Sequence, residues 1–263
     1  MSHYVSLKEE GMHNNDHQLP LDNDYLLMIE YLSGSDSSQT YAAKEALKIM
    51  GSGLAEGAVP EIVDLGCGAG NGYDDLQPFA RNFNWIGLDI EISPEVNERK
   101  RTDLTFMTYN GIDIPFPDNS KDLIYSRQVF EHVLYPQELL REVYRVLKPG
   151  GYFVGSTSHL EPFHSRSLWN FTPYGFVTLL KRAGFTHISI RPGIDCVTLI
   201  MRRLISYFGM SDLLNPFFKF ESPLNMSIEL TSRILRIQKA KVNFLKLLYS
   251  GHFIFVVKKQ ECT

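Results

Sequence analysis

Hydrophobic and polar positions follow a helical spacing early in the chain, where helices are predicted over residues 22–33 and 36–50. From residue 61 onward, short apolar runs of the buried-strand type alternate with helical segments. The predicted strands are residues 62–65, 85–89, 104–108, 122–126, 152–156, 187–191 and 253–257. The predicted intervening helices are residues 73–82, 94–101, 136–147 and 172–183. This alternation is typical of an α/β fold with a doubly wound, mostly parallel sheet.

The alternation stops after residue 191 and resumes only at the last predicted strand. The intervening residues, 194–251, are predicted to be helical, and they contain eight Lys or Arg against four Asp or Glu. We therefore predict a helical extension over 1–57, a main domain over 58–193 and 252–263, and a helical insertion over 194–251. The sequence leaves three interpretations of the insertion open: a lid or pocket wall, a dimer surface, or a basic amphipathic face that contacts anionic lipid.

The composition narrows the class of protein. Hydrophobic residues make up 44% of the chain and charged residues 21%, as in globular domains. The net charge of −4 argues against a general nucleic-acid binder. No apolar run reaches the roughly 18–20 residues of a membrane span, and the polar first twenty residues lead us to expect no secretory signal. Cys67, Cys196 and Cys262 are too scattered for a disulfide framework, so we expect reduced thiols and a cytoplasmic location.

The most informative segment joins the first predicted strand to the helix after it. Glycines stand at alternate positions there, as Gly66, Gly68 and Gly70, in a run that starts at Asp64. Bare backbone lets a cofactor lie against the main chain, and the following helix N-terminus favours a negatively charged group. Asp89 ends the next predicted strand, where an acidic side chain can accept both hydroxyls of a ribose. The G-x-G-x-G spacing differs from the dinucleotide pattern and favours a nucleoside with a free ribose over NAD.

Four motifs in this order resemble the class I S-adenosylmethionine-dependent methyltransferases, most of all their small-molecule branch, methyltransferase type 11. They are the loop at 64–70, Gly-Leu-Asp at 87–89, Ile-Pro-Phe-Pro-Asp-Asn-Ser at 114–120 and Leu-Lys-Pro-Gly-Gly at 147–151. The resemblance covers about residues 58–191 and the last strand, but neither 1–50 nor 194–251. It implies an enzyme with a Rossmann-like, seven-stranded α/β fold that uses S-adenosyl-L-methionine as its cofactor.

The resemblance also implies roles for single residues. Asp64 and the glycine loop would hold the methionine part of the cofactor, Asp89 would hold the ribose, and Ile90 would pack on adenine. Many relatives have Asp at the position of Asn110, and we expect the Asn carbonyl oxygen to accept the adenine amine instead. The expected cofactor-binding residues are Asp64, Gly66, Cys67, Gly68, Gly70, Asp89, Ile90, Asn110, Gly111, Ile112, Arg127 and Gln128.

Loops after the fourth and fifth predicted strands hold the candidates for a catalytic base. A hydroxyl acceptor must lose a proton, and a positioned base contributes about 10²–10⁴-fold. His159 directly follows the fifth strand and is the first candidate, while His132 and His164 are the alternatives. A reaction without a histidine base also stays open. These histidines and Glu131 have no diagnostic metal-ligand spacing, so no metal site is predicted.

The acceptor is expected to be a small molecule, or a lipid- or glycan-linked compound, with a hydroxyl oxygen as the nucleophile. Relatives that methylate nucleobase amines have Asn-Pro-Pro-Tyr where this chain has Ser-Arg-Gln-Val at 126–129, so no nucleic-acid partner is expected. Trp169, Phe171 and Tyr174 either line the acceptor pocket or pack their helix on the sheet. A homodimer and peripheral membrane contact through 194–251 are kept as candidate partnerships. The alternative function is a non-catalytic cofactor-binding subunit that activates a partner.

Overall fold

The computed structural model describes residues 20–32, 44, 47, 58–79, 82–209 and 223–261. The strands are β1 (Glu61–Leu65), β2 (Asn84–Asp89), β3 (Phe106–Thr108), β4 (Lys121–Arg127), β5 (Leu147–Ser158), β6 (Phe185–Pro192) and β7 (His252–Lys259). The helices are α1 (Pro20–Met28), α2 (Asn71–Leu76), α3 (Pro94–Asn97), α4 (Pro136–Val146), α5 (Pro173–Arg182), α6 (Cys196–Tyr207), α7 (Pro223–Ile234) and α8 (Lys239–Leu248). Short 3₁₀ turns cover Ile29–Tyr31 and Phe130–His132.

All seven strands belong to one sheet in the order β3-β2-β1-β4-β5-β7-β6. Strands β1 to β5 are parallel, whereas β7 lies antiparallel between β5 and β6. The strand order changes direction between β1 and β4, and open α/β sheets bind ligands at the carboxyl ends of strands at such a point. The predicted doubly wound, mostly parallel sheet is therefore confirmed.

Apolar side chains cover both faces of the sheet. Ile62 and Val63 are adjacent in β1, are both fully buried, and belong to different hydrophobic clusters. Successive strand residues point to opposite faces, so a continuous apolar run is what a strand covered on both sides requires. Helix α4 contributes one buried stripe to the larger cluster. The residues of that stripe are Leu139, Leu140, Val143 and Val146.

Some element boundaries differ from the predicted ones. The predicted helix 94–101 ends at Asn97, and Arg99 beyond it reaches the glycine loop instead. Strand β5 begins at Leu147, directly after α4, five residues before the predicted start at residue 152. A register irregularity between Lys121 and Leu123 in β4 accommodates this early pairing. Of the predicted helix 36–50, all but residues 44 and 47 lie outside the described residues.

The first described helix and the last one pack together against the sheet. The rings of Tyr25 in α1 and Phe244 in α8 are 5.6 Å apart and inclined at 65° to each other. Both residues share a buried cluster with Ile190 of β6. Residues of the predicted extension and insertion thus contribute to the core of the main domain, and the three-part division stays a prediction. Within the described residues, no helix is long and apolar enough to cross a membrane.

Candidate active site

The loop between β1 and α2 is shaped by its glycines. Gly66, Gly68 and Gly70 all have positive φ angles, of 72°, 50° and 93°, which L side chains rarely adopt. A Cβ at Gly66 would lie 2.2 Å from Cγ2 of Val129, in the loop after β4. Glycine at this position therefore lets two loops at the carboxyl edge of the sheet approach closely.

Asp89 ties the end of β2 to this loop. Its Oδ2 accepts a hydrogen bond from the Gly68 amide at 2.6 Å, and its Oδ1 accepts one from the Ile90 amide at 2.8 Å. Asp89 is 9% exposed. Burial raises the pKa of Asp89, although the two backbone hydrogen bonds act in the opposite direction. Each carboxylate oxygen keeps a lone pair that a ligand hydroxyl can use.

Arg99 holds the same loop from the other side. Its Nε and Nη2 donate to the Gly68 carbonyl at 2.9 and 2.8 Å, and its guanidinium lies 3.8 Å above the Phe106 ring. Gly68 is thus fixed through both its N–H and its C=O. No motif surrounds Arg99 in the sequence, and it follows a short helix, so its contact with the loop was not predicted.

A cavity of about 860 Å³ opens along the carboxyl edge of the sheet. One end is formed by the glycine loop, Asp89 and the segment 109–112, and the other by residues 132–135 and 164–166. The predicted cofactor residues that line it are Gly66, Cys67, Gly68, Asp89, Ile90, Asn110, Gly111, Ile112, Arg127 and Gln128. The structure therefore brings most of the predicted cofactor residues to one cavity, although their roles stay predictions.

Asp64 and Gly70, the other two predicted cofactor residues, are not part of that lining. The Asp64 carboxyl lies behind the loop, and a Cβ at Gly72 in α2 would meet its Oδ2 at 2.1 Å. Asp64 Oδ2 has no hydrogen-bond partner among the described residues. Burial raises the pKa of Asp64 to about 7. Gly70 is the N-cap of α2.

The Asn110 side chain closes a tight turn. Its Oδ1 accepts hydrogen bonds from the amides of Ile112 at 2.9 Å and Asp113 at 2.8 Å, and its Nδ2 donates to the Asp113 carboxylate at 2.6 Å. Both lone pairs of the carbonyl oxygen are therefore used inside the protein. The predicted contact between this oxygen and an adenine amine would require the turn to rearrange.

Arg127 ends β4 and Gln128 follows it, and both residues line the cavity. The Arg127 guanidinium pairs with Asp75 at the end of α2, and Tyr125 donates to the same carboxylate at 3.3 Å. Gln128 has a φ of 57°, an uncommon conformation for a non-glycine residue, and it turns the chain across the sheet edge. Its amide oxygen accepts from Ser156 at 3.1 Å, with the amide nitrogen 2.7 Å from Glu131 Oε1.

The three histidine candidates occupy two different environments. His132 and His164 both line the cavity, and their rings lie 5.2 Å apart and nearly perpendicular. His159 is not among the described residues of the lining, and its Nδ1 lies 3.0 Å from the Phe171 carbonyl. Burial lowers the pKa of His159 and of His164. In His164 the charge of Glu161 acts in the opposite direction, but the pKa stays below its usual value. The role of His159 as a base stays a prediction.

Two buried carboxylates lie behind the histidine pair. Glu131 is fully buried and accepts hydrogen bonds from Thr157 at 3.0 Å and Ser158 at 3.2 Å. Burial raises the pKa of Glu131. Glu161 lies with Oε1 3.3 Å from His164 Nδ1 and Oε2 2.6 Å from His252 Nε2. Burial alone would raise the pKa of Glu161, but the His252 hydrogen bond and charge bring it below its usual range.

Sequence reasoning missed the pairing of Glu161 with His252. The two residues are 91 positions apart, and they meet because β7 enters the sheet antiparallel to β5, where His252 pairs with Ser158. No local motif predicts that register.

Comparisons with known proteins agree with this geometry. Residues 63–155 match the family described as a methyltransferase domain. A probable S-adenosylmethionine-dependent methyltransferase of Mycolicibacterium smegmatis is 32% identical over 137 residues, which are 48% of this chain and 51% of that protein. A sterol 24-C-methyltransferase of Pneumocystis carinii is 32% identical over 123 residues, 44% of this chain and 32% of that protein. The chain thus spans about half of the length of the first of these curated relatives and about a third of the second.

Among solved structures, the fold is similar to a complex between the Haloferax volcanii Trm112 methyltransferase activator and the putative methyltransferase. The TM-score is 0.51 at 18% identity, over 92% of this chain and 96% of that one. The sheet order, the glycine loop with Asp89 and the family match over residues 63–155 support a class I S-adenosylmethionine-dependent methyltransferase domain. The resemblance found in the motifs is therefore confirmed, and S-adenosylmethionine is the cofactor of this class.

Proposed function

We propose that this protein transfers a methyl group from S-adenosylmethionine to a hydroxyl oxygen of a small-molecule or lipid- or glycan-linked acceptor. The observation that carries the proposal is one cavity that joins the bare backbone beside Asp89 to the imidazoles of His132 and His164. In-line displacement requires the methyl donor and the nucleophile to share one enclosed space in a fixed orientation. The two ends of this cavity provide that space.

The residues at the loop end fit an adenosine-type cofactor. When bound, S-adenosylmethionine supplies an electrophilic methyl group on a sulfonium. Asp89 offers one lone pair on each carboxylate oxygen to the ribose hydroxyls, in addition to the backbone amides it already accepts. Ile90 and Ile112 provide apolar surface for the adenine ring. Because Asn110 is used within its own turn, we assign adenine binding to these apolar surfaces more than to its amide.

The other end of the cavity suits an apolar acceptor that presents an oxygen. Val133, Leu134 and Tyr135 line it, and the last two are 58% and 52% exposed. His132 and His164 lie beside them, and we assign these two histidines the activation of the acceptor oxygen. The match to a sterol methyltransferase supports an apolar acceptor class.

The insertion lies next to the acceptor end. Arg203 of α6 donates a hydrogen bond to the Phe163 carbonyl, in the loop that presents His164. This contact supports the lid or pocket-wall interpretation of 194–251. Liposome flotation and analytical ultracentrifugation of the full chain test the membrane-contact and dimer interpretations.

Two measurements on the full chain test the proposal. Calorimetry with S-adenosylhomocysteine should show one site, which Asp89→Ala weakens. Incubation with ¹³C-methyl S-adenosylmethionine and fractionated lipid and glycan extracts should label one acceptor, and NMR should place the methyl carbon on oxygen. Label on nitrogen or carbon would contradict the acceptor class. A thermal shift with NAD and none with S-adenosylmethionine would contradict the cofactor.

The same experiments distinguish the proposed methyltransferase from the alternative, a non-catalytic cofactor-binding subunit that activates a partner. A non-catalytic subunit would bind S-adenosylhomocysteine but label no acceptor when purified, and it would stimulate methyl transfer by another protein. Methyl transfer by the purified chain alone excludes that alternative.

A further inference from the structure

A mixed cluster of metal-ligand side chains lies at the acceptor end of the cavity, where His132 and His164 line the cavity and the buried Glu131 lies behind them. One ligand atom from each of Glu131, His132 and His164 lies within 4.8 Å of the other two. Bonds of about 2.0–2.2 Å place the donors of a tetrahedral site about 3.3–3.6 Å apart, so a closure of roughly 1 Å brings this set to ligand geometry. Two imidazole nitrogens with one carboxylate oxygen are a donor set typical of divalent zinc, iron and manganese.

A second layer of polar groups orients the three ligands. Glu161 faces Nδ1 of His164, which directs Nε2 of that ring as the free donor atom. Ligand histidines commonly pair their other ring nitrogen with a carboxylate in this way. Thr157 donates to Oε2 of Glu131, and Ser158 and the Gln128 amide lie beside Oε1, which fixes the carboxylate and leaves a lone pair on Oε2. The arrangement behind the cluster therefore matches that of a supported metal site.

Burial supplies an independent reason for a cation here. Glu131 and Glu161 are 0% and 9% exposed, and an oxygen of each lies near the Ser158 hydroxyl, at 3.2 and 2.5 Å, although that hydroxyl has one proton to donate. The ion-pair partners of Glu161 are imidazoles, His252 at 2.6 Å and His164 at 3.3 Å, each charged only when protonated. Two neighbouring buried carboxylates are costly unless positive charge compensates them, and a divalent ion provides that charge.

We infer that Glu131, His132 and His164 bind a divalent transition-metal ion that coordinates the acceptor oxygen at an open position. This inference rests on the proposed function and deepens it. A hydroxyl bound to the ion loses its proton to water in the open cavity more readily than in solution. Its oxygen electron pair then forms the bond to the methyl carbon, while the carbon–sulfur bond of the cofactor breaks and its electron pair stays on sulfur.

The test is metal binding by the chelator-treated full chain, titrated with Zn²⁺ and with Mn²⁺. We expect one equivalent bound, and affinity should fall by at least tenfold in His132→Gln and in His164→Gln. Glu161→Gln should weaken binding about 10–100-fold through loss of ligand orientation. His187→Gln is the matched control, because His187 is an exposed residue of β6 and is not one of the cluster residues. Co²⁺ spectra of the same proteins report the ligand set without relying on activity.

Histidines at positions 3, 13 and 17 are another source of metal binding, so a triple Gln variant at these positions is the second control. Binding that disappears in the triple variant, or that survives both His132→Gln and His164→Gln, overturns the inference. S-adenosylhomocysteine affinity is measured in the same samples. If the cofactor product binds and methyl transfer proceeds without metal, the metal site is wrong and the proposed function stands. If the cofactor product does not bind, the proposed function itself fails.

Discussion

The Asp89 carboxylate accepts the Gly68 amide at 2.6 Å, so the end of β2 and the glycine loop form one unit. Replacing Asp89 with Ala removes both this tether and the expected ribose contacts. We expect the affinity for S-adenosylhomocysteine to fall by at least about 1–3 kcal/mol in calorimetry. Glu91→Gln is the matched control, because Glu91 is exposed and outside the cavity lining. Unchanged affinity in Asp89→Ala would place the ribose elsewhere.

The second prediction compares the effects of backbone strain and of steric contact on the unfolding free energy when a glycine is replaced by alanine. Gly66 and Gly209 have φ angles of 72° and 69°, but a Cβ at Gly66 would clash with Val129, whereas one at Gly209 meets no described atom within 4 Å. Both Ala variants carry the left-handed strain of about 1–2 kcal/mol. Gly66→Ala should lose about 1–3 kcal/mol more through overpacking, and should also lose cofactor-product affinity. Urea unfolding measures the first effect and calorimetry the second.

The double variant Gly66→Ala with Val129→Ala sharpens this comparison. Removing the Val129 methyl groups relieves the clash but not the strain at φ. We expect the double variant to recover part of the lost unfolding free energy compared with Gly66→Ala. Equal losses in Gly66→Ala and Gly209→Ala would show that contact with Val129 has no effect.

The sequence predicted those parts of the site that lie within one strand–loop–helix unit. Gly68 and Asp89 meet as expected, because parallel neighbouring strands end at the same edge of the sheet. Arg99, Glu161 and His252 could not be predicted in the same way. Their contacts depend on where a short helix ends and on the antiparallel register of β7, neither of which has a local signal.

Asn110 shows the limit of transferring a role from a family. Its residue type permits a hydrogen bond to adenine, and the sequence contains no indication that its oxygen closes a turn. The amides of Ile112 and Asp113 compete for the same lone pairs, and that competition is visible only in the structure.

The third prediction concerns pH. Burial raises the pKa of Asp64 to about 7, so the folded state holds this proton more tightly than the unfolded chain, where the pKa is about 3.9. The resulting stabilisation is present below about pH 4 and is lost as the pH rises through about 7. Asp64→Asn removes the titration. Its unfolding free energy relative to wild type should therefore increase between pH 5 and pH 8, on the order of 1–3 kcal/mol.

Urea unfolding at both pH values measures this difference, with Asp24→Asn as the control for an exposed carboxylate in α1. Parallel pH dependence of wild type and Asp64→Asn would contradict the assignment of a raised pKa to Asp64.

The fourth prediction tests the packing of α8 against α7. Lys246 is 2% exposed and its Nζ lies 2.7 Å from Glu229 Oε1, while the Glu229 side chain is 30% exposed. Glu229→Ala leaves a buried ammonium without its counter-ion, at a cost of about 3–5 kcal/mol. Lys246→Met leaves the Glu229 carboxylate unpaired, but water can reach that carboxylate. Lys246→Met should therefore lower the unfolding free energy clearly less than Glu229→Ala does. Equal unfolding free energies for the two variants would mean that Lys246 is solvated.

The last prediction compares the histidines by turnover. His132 and His164 line the cavity, whereas the His159 ring lies against the Phe171 carbonyl at 3.0 Å. His132→Gln and His164→Gln should lower methyl transfer about 10²–10⁴-fold with little change in cofactor-product affinity, because they act on the acceptor. His159→Gln should mainly lower the unfolding free energy, by about 0.5–1.5 kcal/mol, through the lost hydrogen bond. If His159→Gln instead impairs turnover as much as His164→Gln, the loop after β5 must present His159 to the acceptor, as the sequence alone predicted.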